Sequence, residues 1–114
     1  MKRFIKVTAQ FEGWHYYKDA PIEVGFLSNL HRHVFHVEAK IAVPHDNRAL
    51  EFFIVKHFLE DTLRKKWPDG ELKGMSCEMI AYEIYKLIST QYKIRSGVSV
   101  YVSEDGENGG GVET

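Results

Sequence analysis

The first part of the chain alternates between apolar and polar residues, which is the period of a half-buried β-strand. In residues 2–11 the side chains that share the apolar face are Ile5, Val7, Ala9 and Phe11. Residues 32–43 repeat the alternation and stop before a proline. The intervening residues 12–30 contain two glycines and a proline, and they predict a long loop of the kind that often carries function.

Apolar residues at three- and four-residue spacing follow, which is typical of helices with one buried face. Residues 48–66 predict a first helix, with Asp46 or Asn47 as its N-cap. The segment "WPDGELKG" contains a proline and two glycines, and it ends this helix. A second helix is predicted over residues 76–90 with Ser76 as its N-cap, and its inner stripe consists of Ile80, Ile84, Leu87 and Ile88.

Alternation returns in "SGVSVYVSE", which predicts a third strand with Val98, Val100 and Val102 on one face. Residues 105–114 are either a loose tail or a short last strand. The order strand, strand, helix, helix, strand predicts a single α+β domain over residues 1–114, with both helices on one face of an antiparallel sheet. Such a small sheet leaves its edges open, which favours pairing with a partner chain.

Composition excludes several classes of function. A length of 114 residues is enough for one domain with a real core, and a net charge of −1 provides no general attraction to nucleic acid or membrane. No apolar run is long enough to cross a bilayer, and the N-terminus lacks the apolar segment of a signal peptide. A single cysteine excludes an internal disulfide framework. Together these features predict a cytoplasmic protein.

Candidate chemistry is concentrated in the stretch "LHRHVFHV", where a strand places His31 and His33 on one face and His36 on the other. Neutral imidazoles suit Zn²⁺, and catalytic zinc sites typically use three protein ligands and keep one open position. His15 could supply a third ligand if the first two strands pair. The competing candidates for this ligand are His45 and His57. The spacing alone is also compatible with a hydrogen-bonded or surface pair of histidines.

Five short segments of the chain, in register with one another, carry a resemblance that extends over nearly its whole length. They are Phe11–His15, Leu30–Val37, Glu51-Phe52, Met75–Ala81 and Val100–Asp105. The family motifs that they match are Phe-x-x-x-His, Leu-His-Gly-His-x-Tyr-x-Val, Asp-Phe, Pro-Thr-x-Glu-Asn-x-Ala and Val-x-Val-x-Glu-Thr. The chain therefore resembles the 6-pyruvoyl-tetrahydropterin synthase and 6-carboxy-tetrahydropterin synthase family, the tunnelling-fold (T-fold) pterin enzymes.

This resemblance implies a zinc site whose ligands are His15, His31 and His33. It implies that Glu104 anchors the guanidine-like edge of a pterin, because a carboxylate can accept two N–H bonds from that edge. Ser76 and Cys77 would lie beside the same ring. The implied activity is that of a carbon–oxygen lyase acting on a dihydroneopterin triphosphate-type substrate, with queuosine biosynthesis as a pathway. The implied assembly is a homo-oligomer whose sheets close a barrel, a hexamer built as a dimer of trimers.

The chain departs from the family at its acid–base residues. The catalytic cysteine of the family lies in the loop before the histidine pair, and that position is Leu27 here. The family's Asp-His pair after the first helix is absent from "RKKWPDGELKG". Arg32 replaces a glycine and Met79 replaces an asparagine. The catalytic residues are therefore unidentified, and the candidates for a substitute base are Tyr16, Tyr17, Asp19, Glu23 and His36.

Three interpretations of function follow from these matches and departures. The protein is a pterin lyase with a substitute base, a zinc enzyme acting on another purine- or pterin-like ring, or a degenerate member that binds a ligand or protein partner without turnover. Cys77 also has two interpretations. At a helix N-terminus the dipole lowers the pKa of a thiol, which favours a nucleophile, whereas a small packed residue is the structural alternative.

Overall fold

One mixed five-stranded sheet dominates the computed structural model, which describes residues 1–114. Its strands are β1 (Arg3–His15), β2 (His31–Val43), β3 (Glu71–Lys73), β4 (Val98–Glu104) and β5 (Gly109–Glu113). The helices are α1 (Phe52–Lys66), α2 (Cys77–Tyr92) and a short 3-10 helix over Ile22–Ser28. The spatial order of the strands is β3-β1-β2-β4-β5. The α+β class is therefore confirmed.

The register of β1 and β2 determines where the chemistry of the chain is placed. The two strands pair antiparallel along their full length, from Arg3 opposite Val43 to His15 opposite His31. Because side chains alternate between faces, Phe11 of β1 and Phe35 of β2 lie on one face. Their rings stack with centroids 5.5 Å apart. The long hairpin therefore brings its apolar face and its terminal histidines together.

Both helices pack on that apolar face, as predicted. Helix α1 lies over β1, and α2 lies over β4 and β5. The core between the helices and the sheet includes Phe35, Ile41, Val55, Leu59, Ile80, Ile84, Ile88, Val98 and Val100. The opposite face of the sheet is polar, and its cross-strand ion pairs are Lys6–Glu38 at 3.2 Å and Arg32–Glu12 at 2.9 Å.

Strand β1 is longer than its sequence predicts. Residues 12–15 belong to the strand instead of the loop, and their buried positions are Gly13 and His15. Neither residue is a typical strand former, so the apolar alternation stops at Phe11 although the strand continues. Gly13 is required by packing, since a Cβ there would lie 2.7 Å from Leu72 Cδ1 and 3.0 Å from Phe35 Cδ2.

Helix α1 begins later than predicted, and the proposed N-caps Asp46 and Asn47 are wrong. Glu51 is the N-cap, and its side chain accepts a bond of 2.7 Å from the backbone N–H of Phe53. Arg48 has a φ of 54°, in the left-handed region, so a helix cannot run through it. Asp46 instead pairs with Arg3 at the start of β1.

The remaining differences concern short elements. Strand β3 was not predicted, and it pairs parallel with the end of β1, so the sheet is mixed instead of purely antiparallel. The last residues form β5, which pairs antiparallel with β4 and confirms the short-strand alternative. Ser76 is confirmed as the N-cap of α2 and accepts a bond of 3.1 Å from Met79 N–H. Neither helix has the length and apolarity that crossing a bilayer requires.

Candidate metal centre

Three strands bring four potential metal ligands to one place. His15 ends β1 and is the direct partner of His31 at the start of β2, and His33 follows on the same face. Glu104 at the end of β4 is paired with Phe35, two residues beyond His33. One ligand atom from each of these four residues lies within 4.8 Å of the others. The predicted ligands His15, His31 and His33 are therefore together, and this group could hold a metal ion.

Each histidine is held by a hydrogen bond at the ring nitrogen Nδ1. The Nδ1 atom lies 2.9 Å from the Met75 carbonyl oxygen in His15 and 2.8 Å from the Asn29 carbonyl oxygen in His31. In His33 it lies 2.8 Å from a carboxylate oxygen of Asp105. Since all three partners are acceptors, each Nδ1 carries a proton, and in the neutral form of the ring each Nε2 then has a free lone pair. This is the arrangement of metal-binding histidines.

The free Nε2 atoms face a carboxylate instead of a hydrogen-bond donor. His15 Nε2 lies 3.1 Å from Glu104 Oε2, and His33 Nε2 lies 3.5 Å from Glu104 Oε1. Both Nε2 atoms are buried and have no hydrogen-bond partner. An unprotonated nitrogen and a carboxylate oxygen are both acceptors, so placing two buried Nε2 atoms against the partly exposed Glu104 carboxylate is unfavourable unless a proton or a metal cation lies between them. The donor set therefore fits a divalent cation.

The protonation of His15 also suits metal binding. Its side chain is buried, and burial lowers the pKa of His15. The hydrogen bond to the Met75 carbonyl and the charge of Glu104 oppose this effect without overcoming it. The ring is therefore neutral at neutral pH, and neutral imidazole is the form that coordinates zinc and related metals.

A cavity of about 690 Å³ opens beside the histidines, which is within the usual size range of small-molecule sites. His15, His31 and Glu104 line one part of it. Ser76 and Cys77, which the resemblance places beside a bound ring, line another part. The three predicted ring-binding residues therefore share one cavity with two of the three predicted metal ligands, His15 and His31.

The structure gives Ser76 and Cys77 definite local roles. The Ser76 hydroxyl accepts the Met79 N–H bond that caps α2, so its lone pairs are partly committed to the helix. Cys77 is buried, and burial together with the carboxylates of Glu104 and Glu78 raises its pKa to about 11. The interpretation that the pKa of Cys77 is lowered is therefore wrong, because burial and two nearby carboxylates raise it.

Not all candidates for a substitute base reach the cavity. Tyr16, Tyr17 and Asp19 line it. Leu27, the position to which the resemblance assigns the family's cysteine, lines it as well. Glu23 is exposed outside the cavity lining. His36 lies on the opposite face of the sheet, in a separate pocket with Gln10 and Ser103.

The competing histidines lie outside the group. His45 follows Val43, at the end of β2 opposite to His31, and its Nδ1 accepts a bond of 3.2 Å from Asn47 N–H. His57 is exposed on α1.

Asp105 is the site residue that sequence reasoning missed. Its signal was the turn sequence "EDG", because aspartate is one of the residues that tolerate a left-handed backbone.

Comparison with models of known protein families gives no match, and comparison with curated proteins finds no relative.

Proposed function

We propose that this chain is a T-fold protein similar to the pterin synthases, with zinc bound by His15, His31 and His33. The observation that carries the proposal is the convergence of three Nε2 lone pairs whose Nδ1 atoms are all held by acceptors. Three neutral imidazoles are a typical ligand set of catalytic zinc. The first candidate function is a zinc-dependent carbon–oxygen lyase of the cytoplasm, acting on a dihydroneopterin triphosphate-type pterin.

In this function the residues of the cavity bind and orient the substrate. The Glu104 side chain is 32% exposed and lines the cavity, so its carboxylate can accept two N–H bonds from the edge of a pterin or purine-like ring. Zinc held by His15, His31 and His33 would supply Lewis acidity toward the hydroxyl groups of the substrate side chain. The proposed proton acceptors are the three candidates that line the cavity, namely Tyr16, Tyr17 and Asp19.

The open edges of the sheet support the proposed oligomer. Strand β1 is the partner of β3 only at Trp14 and His15, so most of its outer edge is unpaired within the chain. Lys56 bonds one free carbonyl of this edge, that of Thr8. Strand β5 forms the other edge. Edges of this kind are suited to pairing between copies, which supports a homo-oligomeric barrel, proposed as a hexamer built as a dimer of trimers.

A second candidate function is binding of a pterin or purine-like ligand, or of a protein partner, without turnover. Two observations favour it. Leu27 in the cavity cannot take up a proton at the position of the family's cysteine. Glu104 also lies close enough to two Nε2 atoms to act as a fourth metal ligand. Four protein ligands would close the coordination sphere, which is typical of structural zinc.

One pair of measurements separates these two functions. Zinc-loaded protein is incubated with dihydroneopterin triphosphate and assayed for product, and binding of neopterin is followed in parallel by fluorescence. His31→Ala tests the metal site, and His36→Ala is the matched control because it lies on the opposite face of the same strand. Product formation that depends on His31 supports the lyase. Neopterin binding without product supports the second function. The absence of both product and neopterin binding would contradict both pterin proposals.

A further inference from the structure

His33 lies between two consecutive carboxylates. Glu104 Oε1 is 3.5 Å from its Nε2, and Asp105 Oδ2 is 2.8 Å from its Nδ1. Consecutive residues of a strand point to opposite faces, so two such side chains do not normally reach one ring. Here Asp105 has a φ of 57° and turns the chain out of β4. The left-handed turn therefore allows both carboxylates to contact the same imidazole.

Asp105 is fixed to β2 by more than the histidine bond. Its second carboxylate oxygen, Oδ1, accepts a bond of 2.9 Å from the backbone N–H of Val34. Its own backbone N–H donates to the Val34 carbonyl at 2.8 Å. Both carboxylate oxygens and the backbone N–H of Asp105 thus form hydrogen bonds with two neighbouring residues of β2, His33 and Val34. Such a clamp determines the orientation of the carboxylate and, through it, the orientation of the His33 ring.

The three histidines differ in the partner that holds them. His15 and His31 donate to backbone carbonyls, whereas His33 alone donates to a charged side chain. A carboxylate that accepts the Nδ1 proton fixes the tautomer and makes Nε2 a stronger metal ligand. We infer that Asp105 is a positioning residue that holds His33 with Nε2 directed at the metal and increases the affinity of the site. This inference rests on the metal site of the proposed function, but not on turnover.

Asp105→Asn tests the inference because it keeps the size of the side chain. Asparagine offers one acceptor oxygen, whereas His33 Nδ1–H and Val34 N–H are two donors, so one of the two bonds is lost. We expect zinc affinity, measured by competition with a chelator, to fall by about 10–100-fold. Glu107→Gln is the matched control, since it removes the same charge from the same turn and its side chain is exposed. Its zinc affinity should stay within about twofold of the wild type, well below the effect expected when the hydrogen bond to a metal-binding histidine is lost.

A second measurement does not depend on metal or on the stability of a variant. In metal-free wild-type protein at about pH 8, above the usual histidine pKa, nitrogen-15 NMR reports which ring nitrogen of His33 carries the proton. We expect the proton on Nδ1. A proton on Nε2 overturns the inference, as does an unchanged zinc affinity in Asp105→Asn. If the wild type binds no zinc, the proposed function fails, while the NMR result still decides whether Asp105 sets the His33 ring.

Discussion

His15 and His31 are direct partners across the β1–β2 ladder, with ring centroids 4.5 Å apart. The two residues are also the last of β1 and the first of β2, so the residues between them form the connection beside the cavity. Backbone pairing, instead of a loop conformation, therefore fixes the distance between two of the three proposed ligands. A site placed on a strand register is preformed.

Glu104→Gln distinguishes a ring anchor from a metal ligand. If Glu104 anchors the ring, the variant keeps its zinc affinity and loses one charged hydrogen-bond acceptor. Hydrogen bonds to charged groups contribute about 1.5–3 kcal/mol, so neopterin binding should weaken by about 10–150-fold. Fluorescence titration and chelator competition measure the two affinities. Glu12→Gln is the control, because Glu12 pairs with Arg32 on the opposite face. A fall in zinc affinity would instead identify Glu104 as the fourth ligand.

Ser76→Ala tests the capping role of a residue that the resemblance places beside the ring. The substitution removes the acceptor for Met79 N–H, so the free energy of unfolding should fall by about 0.5–2 kcal/mol. Ser76→Asp keeps an acceptor at the cap and should retain most of the stability. Urea unfolding monitored by circular dichroism measures both variants. Equal stability of the alanine variant and the wild type would contradict the capping role.

Gly13→Ala tests the close packing beneath the metal site. The added Cβ would lie 2.7 Å from Leu72 Cδ1, so the buried Leu72 side chain or the strands that flank it must shift. Overpacking of this kind costs about 1–3 kcal/mol. Gly25→Ala is the matched control, because nothing lies within 4 Å of its Cβ position. The free energies of unfolding of the two variants, measured with denaturant, should differ by this amount. Equal unfolding midpoints would show that the packing at Gly13 is loose.

Cys77 should be unreactive in the folded protein. Burial and two neighbouring carboxylates raise its pKa to about 11, so the thiolate is scarce near neutral pH. Because only the thiolate attacks, labelling by a thiol reagent should be slow at pH 8 and should accelerate steadily as the pH rises toward the pKa. The urea-unfolded protein is the fast reference. Rapid labelling of the folded protein at neutral pH would restore Cys77 as a candidate nucleophile.

The sequence predicted those parts of the fold in which apolar side chains recur with the period of a strand or a helix. Alternation located β2 and β4, and helical spacing located both helices. Alternation failed at Gly13 and His15, because a strand that carries a glycine and a histidine on its buried face loses its apolar signal. Helical spacing failed at Arg48, because its left-handed backbone makes α1 begin later than the sequence predicts. These positions are determined by tertiary packing and not by local preference.

The site was predictable to a similar degree. Strand periodicity alone placed His31 and His33 on one face, whereas His15 needed the pairing register and the family resemblance. The turn signal "EDG" indicates a left-handed backbone at Asp105, but it does not predict the bond between the Asp105 side chain and His33. The membership of the chain in the pterin synthase family, its T-fold oligomer and its substrate stay predictions.

The most direct test of the account is the metal content of protein purified without a histidine tag. Elemental analysis is carried out on the wild type, on His31→Ala and on His36→Ala, the control on the opposite face of β2. We predict about one zinc per chain in the wild type and in His36→Ala, as one three-histidine site requires, and its loss in His31→Ala. A wild type without metal, or a His31→Ala variant that retains it, would contradict the three-histidine site.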